Sequence, residues 1–236
     1  MSDLVSYALE GRVATITMDD GKANVFSIPM LRALHAALDR ATDDNAVVLL
    51  TGRPGYFSAG FDLKVIQGDP ERTIEMLHLG ATLAERIMSF PTPVATACTG
   101  HCYPAGAFLL LSADARLGAD GPFRIGLNEV RIGMTLPWFA IEVARHRLTP
   151  AAFDRTVVNA TMFSPADAVT AGFLDHVVAP DELAATAAAW AADLTELHPK
   201  AHAATKLRAR AGALAALRAA IELELEPSGA TSSPAS

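Results

Sequence analysis

Residues 47–62 read Val-Val-Leu-Leu-Thr-Gly-Arg-Pro-Gly-Tyr-Phe-Ser-Ala-Gly-Phe-Asp. The run Val47–Thr51 is short, apolar on both of its faces and stopped by Gly52, the pattern of a strand covered on both sides within a parallel sheet. A loop of small residues follows it. The same plan recurs downstream. A helical stretch over Glu71–Ser89 leads to the strand Val94–Cys98, the loop Thr99–Pro104, the helix Ala105–Ala113 and the short strand Ala115–Gly118. Upstream, Leu4–Leu9 and Arg12–Met18 carry strand signals, with Val13, Thr15 and Thr17 alternating against Ala14, Ile16 and Met18. Ser27 is a candidate N-cap for a helix with Pro29 in its first turn and Leu31, Leu34 and Leu38 at helical spacing. Strand, loop and helix alternate, so the front two-thirds is α/β.

After Pro137 the signals change. Pro150, Pro165, Pro180 and Pro199 stand near the starts of helix-like stretches, with Thr149 and Ser164 as expected caps. From Leu183 to Leu225 the chain is rich in Ala, Leu, Arg and Glu and carries no strand signal. The tail Pro227–Ser236 has the composition of a solvated end.

Composition narrows the function. The 236 residues are 51% hydrophobic and 19% charged, and 19 Lys+Arg face 26 Asp+Glu for a formal charge of −7. An acidic balance argues against nucleic acid as a partner. The longest apolar run, Ala105 to Leu111, is far below the about 20 residues that a membrane helix needs, and the N-terminus has no secretory pattern. Two cysteines, Cys98 and Cys102, cannot build a disulfide framework and suit a reduced, cytoplasmic setting.

Several motifs fail on chemistry. Gly55 and Gly60 have P-loop spacing, but Phe61-Asp62 stands where Lys-Ser/Thr is required, and a carboxylate there repels a triphosphate. Ser58 lies in G-x-x-S-x-G, one residue longer than a nucleophile elbow. His198 and His202 can share a helix face but lack a third metal ligand at useful spacing. Three segments remain. The loops Tyr56–Leu63 and Gly100–Ala107 each follow a strand and contain small residues that let the backbone approach something closely. Their backbone N–H groups could converge on one developing oxyanion, or both could be plain strand-to-helix turns. The segment Gly126–Gly133 places Glu129 in an apolar stretch. An acid in an apolar pocket has a raised pKa and can serve as base and then acid, while the ordinary fate of a glutamate is a surface pair, here with Arg131 or Arg124.

These segments together resemble the crotonase, or enoyl-CoA hydratase/isomerase, superfamily from about Val5 to about Leu214. The markers are Phe57-Ser58-Ala59-Gly60-Phe61-Asp62-Leu63, Gly100 through Asp114, Ile125-Gly126-Leu127-Asn128-Glu129, Phe163 through Ala168 and Ala171 through Val178. The resemblance implies a spiral of ββα units over residues 1–180 with the acyl-CoA site, a helical trimerisation region over 181–226 and a tail over 227–236. It implies an acyl-CoA thioester substrate, no metal or other cofactor, and a homotrimer or dimer of trimers. It places an oxyanion hole on Phe61 and on Ala105 or Gly106, and CoA or substrate contacts on Lys22, Ala23, Ser58, Ala59, Gly60, Asp62, Leu63 and Phe108. Lys22, Arg53 and Lys64 are candidates by charge for the CoA phosphates.

The catalytic acids divide that family. Hydratases carry two glutamates. Counted without a gap, the first falls on Phe108 and the second on Glu129. One base suffices to move a double bond from C3 to C2, so the resemblance favours a Δ3,Δ2-enoyl-CoA isomerase with Glu129 as its single acid/base. Enoyl-CoA hydratase, a non-catalytic acyl-CoA binder and a thioester hydrolase using Ser58 are the alternatives.

Overall fold

A computed structural model describes residues 4–225 of the chain. In chain order the elements are β1 Val5–Glu10, β2 Val13–Met18, β3 Val25–Phe26, α1 Ile28–Asp43, β4 Val47–Thr51, β5 Gly55–Ser58, β6 Gly60–Phe61, α2 Leu63–Ile66 and α3 Pro70–Ser89. There follow β7 Val94–Cys98, β8 Gly100–Cys102, α4 Ala105–Ser112, β9 Ala115–Ala119, a 3-10 helical turn Glu129–Ile132, α5 Trp138–Arg147, α6 Pro150–Val157, α7 Pro165–Ala171, β10 His176–Val178, α8 Leu183–Leu194, α9 Pro199–Ala209 and α10 Ala211–Leu225.

Six strands form one sheet in the order β1-β2-β4-β7-β9-β10. Only the β1–β2 pair is antiparallel; the other pairs are parallel. The apolar run at 47–51 behaves as its sequence says. Val48 and Leu50 point into the main core, and Val47 and Leu49 into a second core that Leu183, Ala187 and Ala191 of α8 cover. Residues 181–225 therefore share their packing with the α/β part: α8 seals one sheet face, and α10 packs on α5 and α3. The segment 227–236 lies outside the described residues.

The two loops read from the sequence hold short strands. β5 pairs with β8 and β6 with β3, both in parallel. So β4-β5 followed by α3, and β7-β8 followed by α4, are successive ββα units. Strands of two to four residues leave too few positions to show a period of two, which is why they read as loop. Ser27 caps α1 by accepting the Met30 N–H, and Ser164 caps α7 by accepting the Asp167 N–H. Thr149 makes no such bond, whereas His198 caps α9 through Nδ1, which accepts the Ala201 N–H.

Candidate active site

Asn24 organises the first wall of the site. It is fully buried with φ of +52°, a left-handed conformation that Asn tolerates better than most residues. Its Nδ2 donates to Met18 O at 3.0 Å and Phe57 O at 3.2 Å, while its Oδ1 accepts the Asp20 N–H at 3.0 Å. The Asp20 carboxylate accepts N–H bonds from Lys22, Asn24 and Val25. The strap 19–26 is thus rigid, and it is stitched to the next wall: Ala59 N donates to Ala23 O at 2.9 Å. Arg53 is consumed here, on Asp19 at 3.2 Å and the Lys22 carbonyl at 2.5 Å, which leaves it a poor phosphate ligand.

Ser58 is fully buried. Its hydroxyl donates to Asn24 O at 2.6 Å and accepts the Gly60 N–H at 3.1 Å. No histidine touches it, so it has no activating base, and its side chain holds β6 in place instead of meeting substrate. The bond to Asn24, 34 residues away in the chain, leaves no mark in the local sequence. Asp62 turns its carboxylate to the Lys64 N–H at 3.0 Å, as the cap of α2.

β6 runs beside the start of α4. Gly60 has φ of +90°, and a Cβ there would overlap Pro104, so glycine is what allows the approach. Asp62 N–H points to Phe26 O on β3. Alternation along a strand turns the Phe61 N–H the opposite way. Across from it, α4 opens at Ala105 behind Pro104, with no side chain capping its first N–H groups. Those of Ala105 and Gly106 have no intrahelical partner, and the helix dipole puts positive potential there. A Cβ on Gly106 would lie 2.7 Å from the Ser58 Cβ. Gly106 is therefore a packing requirement against Ser58.

The third wall arrives through pairing with β8. Cys102 N donates to Arg124 O at 3.0 Å, and Gly126 N to Cys102 O at 3.1 Å. Ile125 is bonded in turn to Phe163 through both backbone groups. This fixes the entry to the 3-10 turn that begins with Glu129. The Glu129 side chain is buried, its Oε2 has no hydrogen-bond partner, and burial pushes its pKa up to about 7. The surface pairing with Arg131 or Arg124 does not occur: neither arginine makes an ion pair among the described residues.

These walls enclose a cavity of about 290 Å³. Of the residues that the resemblance named, Ala59, Phe61, Leu63, Phe108 and Glu129 line it. Lys22, Ala23, Ser58, Gly60, Asp62, Ala105 and Gly106 are not among its lining residues. Ile66 and Leu77 add apolar surface, and Phe108 packs edge-on to Phe139 with centroids 5.7 Å apart. Sequence reasoning missed Asn128, Tyr103, Thr135 and Glu224. Glu224 comes from α10 and accepts the Trp138 N–H at 2.8 Å, capping α5. In an Ala/Leu-rich helix it reads as one more solvated glutamate. Among the described residues no group of three or more His, Cys, Asp or Glu could hold a metal ion, and no helix is long and apolar enough to cross a membrane.

Known proteins share this fold. A profile of enoyl-CoA hydratase/isomerase matches residues 9–236. An enoyl-CoA hydratase/isomerase family protein from Pseudomonas syringae is 51% identical, with a TM-score of 0.92 over 94% of this chain and 96% of that one. A Mycobacterium tuberculosis protein is 43% identical, with a TM-score of 0.90 over 94% of this chain and 97% of that one, and has been described both as an enoyl-CoA isomerase and as a probable enoyl-CoA hydratase. The human mitochondrial enoyl-CoA delta isomerase 1 is 29% identical over 180 residues, 74% of this chain and 60% of that protein. The chain thus spans about three-fifths of the length of that mitochondrial relative. With the profile covering nearly the whole chain and the fold superposing on its members, this protein belongs to the enoyl-CoA hydratase/isomerase family.

Proposed function

We propose that the protein is a Δ3,Δ2-enoyl-CoA isomerase, moving a C3=C4 double bond of an acyl-CoA to C2=C3. Glu129, as carboxylate, takes a proton from C2. The C2–H electron pair forms a C1=C2 bond while the carbonyl pair moves onto the thioester oxygen, giving a dienolate whose C3=C4 bond is still in place. The N–H groups of Phe61 and Ala105 bind that oxygen, and they are useful because they are fixed before the charge develops. Glu129, now neutral, returns the proton to C4: the C3=C4 pair takes it, the C1=C2 pair becomes C2=C3 and the oxygen's charge re-forms the carbonyl. A base of raised pKa suits both halves, since it holds a proton well enough to take one and loosely enough to give it back. A proton shuttle beside a thioester calls for neither a metal nor a redox cofactor.

The observation that carries this reading is Phe108. By resemblance a hydratase keeps an acid there to hold the attacking water; here a buried phenyl ring lines the cavity instead. A ring offers that water no hydrogen bond. Turnover of 3-enoyl-CoA and 2-enoyl-CoA, measured side by side on the purified protein, tests it. Conversion of the 3-enoyl ester should be clear, and hydration of the 2-enoyl ester lower by about two orders of magnitude, the usual worth of one acid–base group. Efficient hydration of crotonyl-CoA would overturn the assignment and hand the second acid to another residue.

A further inference from the structure

Beside the catalytic cavity lies a second recess of about 470 Å³, which meets it at Tyr103 and Asn128, residues that line both. The two residues sit next to the chemistry in the chain: Asn128 precedes Glu129, and Tyr103 lies two places before Ala105. The recess has a different character from the apolar cavity. Arg124, Arg131 and His101 line it, and no acidic side chain does, in a chain that carries a net charge of −7.

The polar groups are unspent, and two of them, Arg131 and His101, are held in place. Arg131 Nε donates to Ala160 O at 2.7 Å, which anchors the guanidinium and leaves its two terminal nitrogens as donors. Arg124 and Arg131 have no carboxylate partner among the described residues. His101 Nδ1 accepts the Arg124 N–H at 3.1 Å, so its proton resides on Nε2, a third donor. The imidazole is held among Tyr56, Tyr103 and Phe123, at centroid distances of 5.2, 5.9 and 5.5 Å. Guanidinium groups are the side chains best matched to a carboxylate.

We infer that this recess takes a carboxylate on the far end of the acyl group, so that the preferred substrates are CoA thioesters of short dicarboxylic acids. The inference rests on the acyl-CoA reading of the cavity. A CoA phosphate is the other anion of such a substrate, but the pantetheine arm sets it many bonds away from the reacting carbons. The terminal carboxylate of a short diacid is only a few bonds from C2, and the recess is lined by Asn128, the chain neighbour of Glu129.

The test uses unreactive, saturated ligands, so that it reads binding and not turnover. Adipyl-CoA, hexanoyl-CoA and free CoA are titrated calorimetrically into the full chain and into Arg131→Gln and Arg124→Gln. Because Arg131 also braces Ala160, the Arg124 variant keeps the test meaningful if Arg131→Gln folds poorly. Adipyl-CoA should bind about 10- to 100-fold more tightly than hexanoyl-CoA, the range expected of hydrogen bonds to a charged group. That ratio should fall towards one in the variants. Equal or weaker binding of adipyl-CoA overturns the inference. So does a loss in the variants that free CoA shares in full, which would put a phosphate in the recess. A protein that prefers adipyl-CoA yet leaves 3-hexenoyl-CoA unisomerised would sink the isomerase assignment alone. One that isomerises 3-hexenoyl-CoA without that preference would sink only the dicarboxylate.

Discussion

Glu129 shows how one buried side chain couples chemistry to stability. Its raised pKa, about 7, means that the base form grows in as pH rises through neutrality. The kcat/KM for isomerisation should therefore climb through pH 7 and level off above it, and a profile flat from pH 5 to 9 would exclude Glu129 as the base. Glu129→Gln should lower kcat by about 10²- to 10⁴-fold with the fold intact. Its effect on stability has the opposite sign. The folded state holds the proton more tightly than the unfolded chain does, so the wild type loses stability as pH rises from the ordinary carboxylate range to beyond 7. Glu129→Gln should thus be the more stable protein at pH 8, by on the order of 3 kcal/mol, and lose that advantage by pH 4, as read by urea unfolding at the two pH values. Ser58 is the contrasting case. Ser58→Ala leaves Asn24 O and the Gly60 N–H without a partner inside the protein, costing about 1–3 kcal/mol, while turnover per folded molecule should stay within a few-fold of wild type. Loss of all activity in a folded Ser58→Ala protein would bring covalent chemistry back.

Among the elements, α4 and α10 do unlike work. α4 is buried along its whole length, and its open N-terminus is the end that faces the catalytic cavity. A polar cap would fill that end. A free first turn behind a proline, which has no N–H to satisfy, suits a helix whose donors serve a ligand. Gly106 sets how closely α4 can approach β5. Gly106→Val should therefore act on the whole fold, by forcing the helix off Ser58, and lower Tm together with activity; an unchanged Tm with altered KM would instead place that side chain at the substrate. α10 contributes Glu224, which caps α5 and closes one side of the cavity. Glu224→Ala should cost about 1 kcal/mol through the lost cap, measured as a lower urea midpoint at unchanged m.

At the scale of the molecule, the C-terminal helices are bound to the sheet by a buried ion cluster. Asp114, on the turn between α4 and β9, accepts from Lys206 Nζ at 2.7 Å and from Arg210 at 2.8 Å, and also takes the Val94 N–H at 2.7 Å. Burial pulls the Lys206 pKa down to about 8 even with that carboxylate in contact. One carboxylate thus satisfies two buried cations from α9 and its junction with α10. Asp114→Asn should cost about 3–5 kcal/mol, because both cations would remain buried with their partner gone. Chemical unfolding checks this, and a loss below about 1 kcal/mol would mean that the helices are held by α8 and α10 packing alone. Since α8 covers the same strands that α1 and α3 back on the other face, unfolding should be a single transition.

Much of this protein was settled along the chain. The run 47–51 announced a strand covered on both faces, Leu31, Leu34 and Leu38 a core-facing helix, and Glu129 an acid among apolar neighbours, because burial and periodicity are local properties of residue order. The two glycine loops, the string Ile125–Glu129 and the stretches 163–168 and 171–178 also named the family. Other features had no local mark. The two-residue strands β3 and β6 exist only because each finds the other, and Ser58 became a pin only when Asn24 folded over it. Glu224 reached the cavity from the far end of the chain. Arg124 and Arg131 came to share a recess only when Ile125 paired with Phe163 and the intervening turn folded back. Contacts between residues distant in sequence are fixed by packing of the whole core, and no short window of sequence contains them.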